Sequence, residues 1–272
     1  MGSSDFQNRV VLVTGGARGI GRGIAEAFAA AQATVVVADL DLAEAQAVAS
    51  ELAAQHVTPV SALAVDVGDA TMVDTMVADV LARFGRVDVL VNNAGIYPNS
   101  PLFELSETEW DNVFDTNVKG VFLVSKAVAR VMVAQASGGR IINVSSGAAE
   151  SARAGAAHYC ASKSAVNMLT KVLALELSPH GITVNAISPG LVEVPGADLT
   201  DDYVAAIVGA TPVGRVGYPS DVANGALFLA AAASSFISGT VLGIDGGSMA
   251  GRASLPLSSR RRAGPAQEPA DG

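Results

Sequence analysis

The chain has 272 residues, half of them apolar, and a formal net charge of −9, which disfavours nucleic acid and anionic membrane surfaces because such partners need clustered Lys and Arg. A single cysteine, Cys160, permits no intramolecular disulfide, and the three histidines, His56, His158 and His180, lack a ligand spacing, so no metal site is expected. No apolar run approaches the ~18 residues of a membrane span, and MGSSDFQNRV lacks a basic start and an apolar run, so a cytoplasmic, membrane-free protein is expected.

Short Val- and Ile-rich runs alternate with longer Ala-rich amphipathic stretches. Strand 10–15 (VVLVTG) leads into helix 19–31, strand 34–39 (TVVVAD) into helix 41–55, and strand 60–67 into helix 69–84. Strand 87–95 (VDVLVNNAG) precedes a long helix near 106–135, and strand 140–146 (RIINVSS) precedes helix 155–178. Strand 182–190, an irregular stretch to about 219, helix 219–233 and strand 241–247 follow. The alternation predicts an α/β fold: a single doubly wound parallel sheet of about seven strands, Rossmann type, with helices on both faces. No linker interrupts it, so residues 1–250 are expected to form one domain. Residues 251–272, rich in Ser, Pro, Ala and charge, read as a tail, flexible from about 256.

The first strand ends in TGGARGIG, which places Gly15, Gly19 and Gly21, with Arg18 and Ile20, where the backbone turns into a helix. Glycine permits positive φ and removes the Cβ that would block a phosphate, while the helix N-terminus offers N–H donors. A dinucleotide diphosphate fits such a turn. Asp39, followed by Leu40, ends the second strand where the adenosine ribose should lie. Its carboxylate would repel a 2′-phosphate by about 4 kcal/mol at 4 Å, so NAD is favoured over NADP. Arg18 argues the other way, since a base in this turn can pair with that phosphate. In AAHYCASKSAV, Tyr159 and Lys163 stand one helical turn apart, so the lysine charge can stabilise a phenolate.

Taken together, TGxxxGxG at 14–21, Asn92-Asn93-Ala94-Gly95, Ser145-Ser146, Tyr159-x-x-x-Lys163 and Ser188-Pro189-Gly190 resemble the short-chain dehydrogenase/reductase family over residues 8 to about 250. Within it the chain looks like the bacterial NAD(P)-dependent carbonyl reductases and secondary-alcohol dehydrogenases. The resemblance implies that Tyr159 is the catalytic acid/base and that Lys163 lowers its pKa and binds the nicotinamide ribose. It implies that Ser146, rather than Ser145, holds the reacting oxygen, and that Asn117 binds a relay water. Asn93, Ala94 and Gly95 would line the cofactor and Asp66 and Val67 would flank the adenine. Pro189, Gly190 and the backbone near Val192 would lie at the nicotinamide. The family commonly has a threonine four residues beyond the glycine of its Pro-Gly pair, where this chain has Val194. His158 reads as a helix-surface or interface residue. By similarity the helices near 106–135 and 155–178 pair across a two-fold axis, so a homotetramer is expected.

Residues 191–215 read as a substrate lid, facing Tyr97, Pro98, Gly147, Ala148 and Arg153 on other loops. With Glu193, Asp198, Asp201 and Asp202 in the lid, a neutral or cationic ketone or secondary alcohol of small to medium size is expected. A 3-oxoacyl-(acyl carrier protein) reductase is the alternative, weakened because Ser137 and His180 stand where such enzymes usually have bases. An NAD-sensing regulator without catalysis is a third reading, opposed by the presence of Asn117, Ser146, Tyr159 and Lys163.

Overall fold

The computed structural model describes residues 6–194 and 200–251. Seven parallel strands form one sheet: β1 (Val10–Thr14), β2 (Thr34–Asp39), β3 (Val60–Ala64), β4 (Val89–Asn92), β5 (Gly139–Val144), β6 (Ile182–Pro189) and β7 (Val241–Ile244). Their order is β3-β2-β1-β4-β5-β6-β7. The chain winds outward from β1 to β3, then returns to place β4 on the other side of β1. That direction reverses between β1 and β4, and it is at such a reversal, at the carboxyl ends of the strands, that open α/β sheets form their binding crevice.

Both faces of the sheet are covered. Val11, Val13, Val35 and Val37 enter one apolar cluster with Ile24 and Phe28 of α1 (Gly19–Ala30), whereas the alternate residues Val10, Leu12, Val36 and Ala38 enter a second cluster. Strands buried on both faces explain the continuous Val and Ile runs. Asp41 caps α2 (Leu42–Gln55) by accepting from the Glu44 N–H at 3.1 Å, and Asp69 caps α3 (Ala70–Phe84). A capping box between Ser106 and Glu109 opens α4 (Glu107–Phe114).

The expected long helix is not uniform. Between α4 and α5 (Gly120–Gln135) lies a π-helical turn, Asp115–Lys119, so the rod stays continuous but widens at Asn117. The expected irregular stretch after β6 holds a ten-residue helix, α7 (Asp201–Ala210). Thr200 caps it by accepting from the Tyr203 N–H, with Asp201 and Asp202 in its first turn, and these signals outweigh the β-branched Val and Ile that lower helix propensity. The helix carrying Tyr159 and Lys163, α6, runs Ala157–Leu177, and the last, α8, Pro219–Ala230. Asp198 and the rest of 195–199, and the tail from 252, lie outside the described residues.

Candidate active site

The turn after β1 is locked to the loop after β4. Thr14 Oγ1 accepts from the Asn93 and Ala94 N–H groups at 3.1 and 3.2 Å, and Asn93 Nδ2 donates to the Gly15 carbonyl at 2.8 Å. The backbone comes so close that a Cβ on Gly15, whose φ is +61°, would lie 2.7 Å from Ala94 Cα. On Gly21 it would lie 2.1 Å from the Gly15 carbonyl oxygen. No side chain caps the first turn of α1, and no carboxylate occupies it. Its N–H groups therefore remain donors for an anion.

Asp39 lies at the side of this turn, where its Oδ2 accepts from the Ala17 N–H at 3.0 Å. Arg18 turns away: it pairs with Asp41 at 3.0 Å and with Glu44, and these carboxylates hold its pKa above the ordinary value. Leu40 is exposed. Asp66 follows β3 rather than lying in it, and its Oδ1 accepts from the Gly68 N–H at 2.8 Å. Beside it a cleft of about 540 Å³ is lined by Asp66, Gly68, Asn112, Asp115 and Thr116. Val67 is buried. The uncapped helix start, the glycine turn, Asp39 and this cleft fit the diphosphate, ribose and base of a dinucleotide in sequence along the crevice.

The reacting groups lie at the same edge. Lys163 is buried and donates from Nζ to the Val144 carbonyl at 2.9 Å, with the Tyr159 ring centroid 5.8 Å away. Burial pushes its pKa from 10.5 down to about 8. Burial pushes the Tyr159 phenol up, and the hydrogen bond from Ser146 and then the charge of Arg153 oppose that shift. Of the two serines, Ser145 turns its hydroxyl to the Lys163 carbonyl at 3.4 Å, whereas Ser146 acts on the phenol and lowers its pKa. Gly95 brings the β4 loop to this group; a Cβ there would lie 3.1 Å from Asn117 Oδ1 and 3.5 Å from Lys163 Nζ.

Asn117 is fully buried in the π turn. Its Oδ1 accepts from the Ile96 N–H at 2.8 Å, and its Nδ2 donates to the Ile96 carbonyl at 2.9 Å and to Ser162 Oγ at 3.1 Å. Ser162 in turn donates to the Tyr159 carbonyl at 2.8 Å. Sequence reasoning missed Ser162, although its place three residues after Tyr159 on the same helix face was a usable signal. The expectation for His158 is corrected: the imidazole is fully buried inside the chain rather than on a surface, because α4 covers that side of α6.

On the substrate side, the Tyr97 and Tyr159 rings meet edge to face with centroids 6.4 Å apart. Val192 bridges to Gly217 through its neighbours, the Leu191 carbonyl and the Glu193 N–H, so its own N–H and C=O face the other way. Val194 packs on Gly19, within 3.1 Å of where a Cβ there would stand. Pro189 ends β6, and Gly190 packs so closely on Asp245 that a Cβ would lie 3.0 Å from its Cα. Among the described residues no group of three His, Cys, Asp or Glu could hold a metal, and no helix is long and apolar enough to cross a membrane.

Residues 15–249 match the family described as enoyl-(acyl carrier protein) reductase. Galactitol 2-dehydrogenase of Agrobacterium fabrum is 40% identical over 254 residues, which span 89% of this chain and 98% of that protein. The 3-oxoacyl-(acyl carrier protein) reductase of Escherichia coli is 37% identical over 244 residues, 89% of this chain and 98% of that one. A crystal structure of a short-chain type dehydrogenase/reductase from Mycobacterium marinum superimposes with a TM-score of 0.87 at 37% identity, covering 91% and 98% of the two chains. With the crevice, the glycine turn and the Ser146, Tyr159 and Lys163 cluster in place, these likenesses make the chain a member of the short-chain dehydrogenase/reductase family, an oxidoreductase acting on CH–OH groups.

Proposed function

We propose that the chain is an NAD-dependent dehydrogenase/reductase of ketones and secondary alcohols of small to medium size, with Tyr159 as the proton carrier. The observation that carries this reading is the convergence on one strand edge of a phenol whose pKa Ser146 lowers and a buried lysine one turn away, 5.8 Å from the phenol ring. A bound nicotinamide dinucleotide would supply or accept the hydride; the chain's own residues manage the oxygen and its proton. Ser146 fixes the reacting oxygen, and Tyr159 Oη takes its proton in oxidation or returns it in reduction. Lys163, near 8, can hold or release a proton within the working pH range. Asn117 holds the Ile96 segment, and with it the loop that carries Gly95, against α6.

Asp39 beside the glycine turn, with Arg18 drawn off by Asp41 and Glu44, supports NAD over NADP. Gly15, Arg18, Gly19, Ile20 and Gly21 would hold the diphosphate, Asp66 and Val67 the adenine, and Asn93, Ala94, Gly95, Pro189, Gly190 and the free backbone groups of Val192 the nicotinamide end. Residues up to about 250 form one catalytic domain, with 191–215 as its lid. The names of the galactitol relative and of a sorbitol dehydrogenase from Cereibacter sphaeroides, 38% identical, extend the substrate class to polyols. The 37% identity to a 3-oxoacyl reductase supports the second reading, an acyl-carrier substrate. Tyr159→Phe tests the mechanism. It should lower kcat by at least about 10²-fold in both directions while NADH still binds, and near-normal turnover would end the assignment.

A further inference from the structure

Three loops meet at the mouth of the site, and one side chain ties them. The loop after β4 is pinned to the loop before α6 by a hydrogen bond from the Ser100 N–H to the Gly155 carbonyl at 2.7 Å. Within that second loop Arg153 donates from Nη2 to Asn99 Oδ1 at 2.9 Å and from Nη1 to the Tyr203 hydroxyl at 3.2 Å. Asn99 belongs to the β4 loop, only two residues past Tyr97, whose ring lies against Tyr159. Tyr203 belongs to α7, the lid helix. The guanidinium is therefore held from two sides by neutral partners. Of its five N–H donors these contacts use two, so three remain among the described residues.

A cation held by two hydrogen bonds, with unused donors and near enough to Tyr159 for its charge to lower the phenol pKa, is suited to receive oxygen. Among the described residues of the lid no carboxylate pairs with Arg153: Glu193, Asp201 and Asp202 are exposed, Asp201 and Asp202 lie in the first turn of α7, where their charge favours the helix, and the other lid cation, Arg215, is paired with Asp221. We propose that Arg153 is the specificity-determining residue of the site: bridged to Asn99 and Tyr203, it binds an oxygen on the carbon next to the reacting one. That oxygen is a hydroxyl or a carboxylate, and the preferred substrate is an oxygen-rich secondary alcohol rather than a plain one. A hydroxyl narrows the neutral or cationic substrate expected from lid composition and a carboxylate departs from it, and the proposal rests on the reading of Tyr159 as the proton carrier.

A hydrogen bond from a charged donor to a bound oxygen is stronger than one between neutral groups. The wild-type chain should therefore oxidise butane-2,3-diol or 2-hydroxybutyrate with a kcat/KM about 10- to 100-fold above that for butan-2-ol. The comparison between the diol and the hydroxy acid tells a hydroxyl from a carboxylate. Arg153→Gln should lower kcat/KM for the preferred compound about 10- to 100-fold more than for butan-2-ol, and Arg153→Lys should recover part of the loss. Because Arg153 is exposed, neither change opens the core. Its cation also opposes the rise of the phenol pKa, so in Arg153→Gln the pH at which oxidation reaches half its plateau should move up, an effect that a merely structural loop tie would not give. Equal losses for all three compounds with no shift of the pH profile would overturn the assignment while leaving the proposed function intact. No NADH formation from any of them by the wild type would overturn both.

Discussion

Replacing Lys163 by Met separates the stability role of this residue from its chemistry. Met keeps the length and removes the charge that burial disfavours. At about 1.4 kcal/mol per pH unit, a fall from 10.5 to about 8 is a penalty of about 3 kcal/mol on the protonated native state. Its sign is fixed by proton counting. Between pH about 8 and 10.5 the unfolded chain keeps the lysine proton and the native chain has lost it, so stability rises with pH across that window. Below it both states are protonated and the full penalty is present. Lys163→Met leaves the Val144 carbonyl without its donor, which costs about 1–3 kcal/mol at every pH. That constant term cancels when the two proteins are compared at two pH values. In urea unfolding at equal protein concentration, the wild type should therefore gain about 2 kcal/mol on the variant between pH 7 and pH 9.5. Parallel behaviour of the two proteins would refute the reasoning, because it would mean that the ammonium is hydrated in the folded chain.

Gly21→Ala should abolish dinucleotide binding in a fluorescence titration, since the added Cβ meets the Gly15 carbonyl at 2.1 Å and Asn93 Nδ2 at 2.4 Å and must push the turn apart. Asp39→Ala should narrow the preference of kcat/KM for NAD over NADP; an unchanged ratio would assign the discrimination elsewhere. Light scattering should give the mass of a homotetramer, in keeping with the apolar surface exposed on α6 at Met168, Val172 and Leu175; a monomer would refute that assembly.

The sheet was readable because its strands are buried on both faces and so carry unbroken Val and Ile runs, and the glycine turn because its residues stand at a strand end. Tyr159, Lys163 and Ser162 share a helix face through local spacing alone. Arg153 was placed among the substrate loops, but not its partners, which lie 50 and 54 residues away, a pairing that no local pattern encodes. His158 read as a surface residue because its burial depends on α4, an element set by an independent capping box. The helix α7 carried its signal in Thr200, Asp201 and Asp202, but the glycines and prolines on either side of it pointed to a loop.

The π turn at Asp115–Lys119 also acts as a phase shift. One residue more than an α-helix needs advances the rod by about 100°. Its two halves thereby answer mainly to different neighbours, α4 to α6 and α5 to α3 and the sheet, with α5 touching α6 more lightly. Deleting a single residue there would leave a helix of ordinary winding and unchanged composition. It would also turn Val121, Val124, Val128 and Met132 out of the core together, as a frameshift misreads every codon after it.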